Sequence, residues 1–87
     1  ATPAAQFARC GAIAVAAIEE LGGRVEDVVR TRMFITDPAH QDEVGRAHRE
    51  VFGAAEPVAT MVVARLLDPA WYVELEVTAV VRPHPEG

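Results

Sequence analysis

Two acidic side chains, Glu74 and Glu76, alternate in the run Trp71-Tyr72-Val73-Glu74-Leu75-Glu76-Val77. In an extended chain this spacing puts both carboxylates on one face. There they can position water or accept a proton, or pair with a cation across a sheet. The available cations are all arginines, because the eight basic residues include no lysine. Arg30, Arg32 and Arg65 fall in segments that read as strands, and a guanidinium is suited to a carboxylate because its donors form a planar fork. His40 and His48 lie eight residues apart, which is not the i, i+4 spacing of a zinc-binding helix. With no cluster of His, Cys and acidic residues at ligand spacing, neither a metal nor a cofactor is expected. His48 reads as a packed or capped histidine and His84 as an inert tail residue. Cys10 falls on the apolar face of a helix, away from any group that would lower its pKa, and reads as a small core residue. No Gly-rich phosphate loop and no G-x-S-x-G elbow occurs.

The elements that would position these residues follow from periodicity. A helix is predicted from Pro3 to Leu21, capped by Thr2 and stopped by Gly22-Gly23, with Phe7, Cys10, Ile13, Ala14, Ala17, Ile18 and Leu21 on its inner face. A strand follows over 28–36, placing Val29, Thr31, Met33 and Ile35 on one face and Arg30, Arg32 and Phe34 on the other. Asp37-Pro38 opens a second helix that ends at Phe52, with Val44, Ala47, His48, Val51 and Phe52 inward. After the loop 54–57, a strand is read over Ala59–Leu66, a turn at Leu67-Asp68-Pro69-Ala70, and a final strand over Trp71–Arg82. Its alternation sets Val73, Leu75, Val77, Ala79 and Val81 against Tyr72, Glu74, Glu76, Thr78 and Val80. The tail from Pro83 cannot continue a sheet. The order α-β-α-β-β predicts an α+β fold with two helices covering one face of a mixed or antiparallel sheet.

The opposite sheet face combines Arg30, Arg32, Glu74 and Glu76 with Phe34, Tyr72 and Val80. Open faces in water are usually more uniformly polar, so this mixture suggests a surface covered by another protomer. The alternative is an ordinary solvated face with scattered apolar residues. Composition points towards assembly. The 87 residues fit one domain, and a chain of this size buries only roughly 60–65% of its unfolded surface on folding. With 51% hydrophobic residues and a lone cysteine, oligomerisation is the expected source of added stability. A net charge of −5 argues against a nucleic-acid partner, which calls for a basic stripe. No apolar run is long enough to span a membrane. The start Ala1-Thr2-Pro3 does not read as a signal peptide, and the cytoplasm is the expected compartment.

Three segments together resemble the YjgF/RidA (Rid) family, also called endoribonuclease L-PSP-like. Asp27-Val28-Val29-Arg30-Thr31-Arg32-Met33-Phe34-Ile35-Thr36-Asp37 is similar to the family's "DVVkt.vf.tD" segment. Pro57 to Pro69 is similar to its "P-A-x-T-M-V-x-V-x-x-L" region. Tyr72-Val73-Glu74-Leu75-Glu76 followed by Ala79 is similar to its closing "VEIEA.A" strand, and Gln6 and the stretch from Gly45 to Gly53 also fit. The resemblance implies a chorismate-mutase-like fold assembled as a homotrimer, with helices outside, sheets inside and small-molecule sites between subunits. It further implies hydrolysis of enamines or imines with release of ammonia. Glu74 would position the water, while Arg65, Tyr72 and Thr60 are candidates for substrate contact. Two features depart from the family. The opening N-terminal hairpin is absent, and Pro57-Val58-Ala59-Thr60 lacks the P-A-R arginine that clamps the substrate carboxylate. Two other functions compete with imine hydrolysis: a trimer that binds small metabolites without turning them over, and an endoribonuclease, which the net charge disfavours.

Overall fold

A computed structural model describes residues 2–83; Ala1 and residues 84–87, including His84, lie outside the described residues. Helix α1 spans Pro3–Glu20 and α2 spans Gln41–Phe52; strands β1 Val28–Ile35, β2 Val58–Val63 and β3 Val73–Ala79 form one sheet in the order β2-β1-β3. β1 runs parallel to β2, to which it connects through α2, and antiparallel to β3. This is a mixed sheet with both helices on one face, as the alternation and the element order predict.

Local chemistry starts each helix. The Thr2 hydroxyl accepts from the Ala5 N–H at 3.0 Å, and Pro3 sits where no N–H is needed. A second donor at this end, the Ala4 N–H, is taken by the Glu43 carboxylate of α2 at 2.8 Å, so a tertiary contact completes the cap. Asp37 caps a single 3-10 turn over Pro38–His40, accepting from Ala39 N–H at 2.9 Å, and α2 proper begins only at Gln41. Gly22 takes φ +89° after α1, a backbone region where side chains are strained.

The core lies between the helices and the inner sheet face. Phe7 and Phe52 are fully buried and meet edge to face at 6.2 Å, with Val28, Met33, Ile35, Val44 and Val73 around them. The helices approach closely at Gly11, where a Cβ would lie 3.1 Å from Val51 Cγ1.

Four expectations from sequence are corrected. Val29 is exposed, because a β-bulge between Val28 and Arg30 inserts it as an extra residue and leaves Val28 and Thr31 facing inward. On α1 the buried positions are Pro3, Phe7, Gly11 and Ile18, while Ile13 and Leu21 are exposed. The helix rests on α2 and β3 along a narrower stripe than its apolar content suggests. The strand read over Ala59–Leu66 is Val58–Val63, an edge strand whose hydrogen-bonded ladder ends with Ala64 N–H donating to Ile35 C=O at 2.9 Å. Trp71 and Tyr72 precede β3, and Val81 and Arg82 follow it.

Candidate functional site

The outer sheet face is built by register. β1 presents Arg30, Arg32 and Phe34, which stand opposite Val58, Thr60 and Val62 on β2 and opposite Thr78, Glu76 and Glu74 on β3. The result is three cross-strand rows, of which the Thr60–Arg32–Glu76 row is the most polar. The Arg32 guanidinium lies 3.4 Å from the Glu76 carboxylate and 5.4 Å from the centre of the Phe34 ring. A cation over an aromatic face gains from the ring quadrupole, so Arg32 is held on two sides. Glu74 is exposed opposite Phe34 and makes no hydrogen bond or ion pair among the described residues. Its row is half apolar, because Phe34 stands beside it and the exposed Val62 lies beyond Phe34 on β2.

Arg65 and Tyr72 belong to a second region. The chain from Ala64 to Tyr72 folds over the end of the sheet and encloses an open cavity of about 640 Å³, lined among others by Thr36, Arg65, Asp68, Trp71 and Tyr72. Neither Glu74 nor Thr60 lines it. An Asx turn shapes this loop, with Asp68 accepting from Ala70 N–H at 2.8 Å. Gln6 of α1 clamps it with both ends of its amide: Nε2 donates to Ala70 C=O at 3.0 Å, and Oε1 accepts from Tyr72 N–H at 2.7 Å. The Tyr72 ring meets His40 edge-on at 5.4 Å. Of the four candidate residues, Glu74 and Thr60 therefore share the outer face, and Arg65 and Tyr72 share the loop cavity.

Two further candidates are half-buried. The His48 Nε2 lies 2.8 Å from the Thr31 hydroxyl, and its ring packs between Phe7 and Phe52. Burial, and secondarily the Arg49 charge, push its pKa down, which keeps the ring neutral. Burial pushes the Cys10 thiol up, with a smaller contribution from the Glu74 charge; a protonated thiol is a poor nucleophile. Among the described residues no group of three His, Cys, Asp or Glu side chains could hold a metal. No helix among the described residues is long and apolar enough to cross a membrane.

The sequence places Arg32 on one face with Glu74 and Glu76 and allows pairing across the sheet, but does not say which residues pair; the structure seats Arg32 between Phe34 and Glu76. The two-residue spacing of Arg32 and Phe34 was the available signal. The loop clamp by Gln6 had no signal in local sequence, since its partners are more than sixty residues away. β2, with the sequence Val-Ala-Thr-Met-Val-Val, contributes no arginine, so positive charge on the outer face comes from β1.

A family model described as Endoribonuclease L-PSP matches residues 1–81. The Streptomyces coelicolor protein SCO2049 is 42% identical over 67 residues, which is 76% of this chain and 50% of that protein. Rv2704 from Mycobacterium tuberculosis, a member of the YjgF/YER057c/UK114 family, superposes with a TM-score of 0.73 at 40% identity, covering 77% of this chain and 58% of the other. NMB1025 from Neisseria meningitidis, a YjgF family member, superposes with a TM-score of 0.88 at 28% identity, covering 95% of this chain and 71% of the other. The chain spans half the length of the Streptomyces protein. With the family match running through all three strands and both helices, the chain belongs to the YjgF/RidA family, described as Endoribonuclease L-PSP.

Proposed function

We propose that the chain forms part of a small-molecule cleft in a homotrimer and that the chemistry there is hydrolysis of an enamine or imine, such as a small 2-imino acid. The observation that carries this reading is the Glu74 carboxylate, left without a cation on a half-apolar open face. When a second protomer covers that face, the carboxylate is withdrawn from bulk water and holds an ordered water against a bound substrate. It positions that water to add to the C=N carbon, accepts one of its protons and passes it to nitrogen; the hydroxyl proton of the resulting carbinolamine follows the same route as the C–N bond breaks, so ammonia leaves and a 2-oxo acid remains. Thr60 on the same face, and Arg65 and Tyr72 at the loop, are the proposed substrate contacts. The proposed compartment is the cytoplasm.

The absence of arginine from β2 favours a second reading, a trimer that binds small carboxylic metabolites without turnover. RNA cleavage is the least supported of the three, because the net charge is −5 and affinity for phosphates depends on basic side chains.

The test uses the intact protein. Its mass by light scattering and its release of ammonia from freshly generated 2-iminopropanoate are measured together. A trimer that accelerates release supports hydrolysis. A trimer that gains thermal stability with carboxylic acids but forms no product supports binding alone. A monomer removes both, because the outer face would then stay open to water.

A further inference from the structure

On the opposite side of the sheet, a groove of about 470 Å³ runs between α2 and β2. We infer that it binds a small organic carboxylate with an apolar aryl or alkyl body, at a site separate from Glu74's face. Its floor is apolar and is made by Met33, which is almost fully buried, with Met61 and Ala59. Its wall is α2 at Gly45, where a Cβ would meet nothing within 4 Å; the missing side chain is what leaves the space open.

The rim supplies charge. Arg46 and Arg49 stand three residues apart, so they project from one side of the helix, and both line the groove. Neither forms an ion pair among the described residues, where the two salt bridges use Arg32 and Arg82. Asp42 also lines the groove and offsets one of the two charges. The side chains of His48 and Thr31 already satisfy one another at 2.8 Å. The balance is one net positive charge above a methionine floor. That combination selects a monoanion with an apolar body. A guanidinium fork takes the carboxylate, and the body displaces water from Met61 and Ala59, against the buried Met33. A polyanion would leave the floor unused, and an ammonium ligand would meet two arginines.

The sequence carries its own reporters, because its two methionines are the two that form the floor. The intact protein, labelled with 13C at the methionine methyls, is titrated with 4-phenylbutanoate and separately with 4-phenylbutylamine. Saturable shifts of the Met33 and Met61 methyls with the acid, and none with the amine, are expected. Arg46→Gln and Arg49→Gln should each weaken binding by about tenfold, the loss of one charge-assisted contact. Gly45→Leu should abolish it by filling the groove, and because leucine is a better helix former than glycine this variant keeps the fold. Equal shifts with the amine, no shifts with the acid at millimolar concentration, or retained binding in Gly45→Leu would each overturn the inference. The methionine signals report on this groove whether or not ammonia release is found, so failure here is distinguishable from failure of the outer-face reading.

Discussion

The Arg32 guanidinium sits 3.4 Å from the Glu76 carboxylate, its cross-strand partner, while Glu74, two residues earlier on the same face, stands opposite Phe34. Two carboxylates equivalent by alternation are thus unequal in the fold. One is engaged by a cation and the other is not.

This inequality predicts a split between two conservative variants. In the intact protein, Glu74→Gln should slow ammonia release from 2-iminopropanoate by about 10²- to 10⁴-fold, the usual contribution of a positioned base. Glu76→Gln should leave the rate within a few-fold and, because both members of its ion pair are half exposed, should change stability by no more than about 1 kcal/mol. Equal losses in the two variants would argue against a special role for Glu74.

Asp27 is a structural carboxylate of a different kind. It is fully buried, accepts from Arg24 N–H at 2.9 Å, and lies 3.4 Å from the Arg82 guanidinium, while its own C=O accepts from Val80 N–H at 3.0 Å. It therefore ties the turn before β1 to the chain after β3. Asp27→Ala should cost about 1–3 kcal/mol in urea denaturation, since it leaves the part-buried Arg24 N–H without its acceptor and removes the buried partner of Arg82. Asp27→Asn should cost less, because the amide keeps an acceptor oxygen for Arg24.

His48 predicts a pH dependence. Burial and Arg49 lower its pKa in the folded state, so below the ordinary value near 6.5 the unfolded chain takes up the proton more readily. Its contribution is complete above about pH 6.5 and is lost as pH falls through the lowered folded pKa. Chemical denaturation followed between pH 7.5 and 5 should show declining stability, and His48→Gln, which keeps a neutral hydrogen-bonding group for Thr31, should flatten that slope. An unchanged slope in the variant would assign the decline to other groups.

Gln6 predicts a local effect. Replacing it with alanine removes the two bonds that hold the loop at Ala70 and Tyr72, at a cost of about 1–3 kcal/mol. The Tyr72 amide should then exchange with solvent faster, while the buried β1 amides keep their protection. Hydrogen exchange resolves the two.

Much of the architecture is legible in the chain itself, because helix caps, turns and alternation act over a few residues. Thr2-Pro3, Asp37-Pro38 and the Gly22-Gly23 stop place the helices, and the strict alternation from Val73 to Ala79 places β3. The three segments over β1, over β2 with the loop after it, and over β3 together suffice to recognise the family. What the sequence alone could not decide depends on which strand lies beside which. The bulge at Val29 exists because β1 must keep register with β3 while burying both Val28 and Thr31. The exposure of Ile13 and Leu21 follows from α1 burying Phe7, Gly11 and Ile18 where it rests on α2 and β3. The engagement of Glu76 rather than Glu74 follows from a single register pairing with Arg32, and the separation of Arg65 and Tyr72 from Glu74 and Thr60 follows from β2 ending at Val63. Periodicity is a property of the local backbone and can be read residue by residue. Register and packing angle are free-energy minima shared by distant segments, and they become definite only when those segments meet.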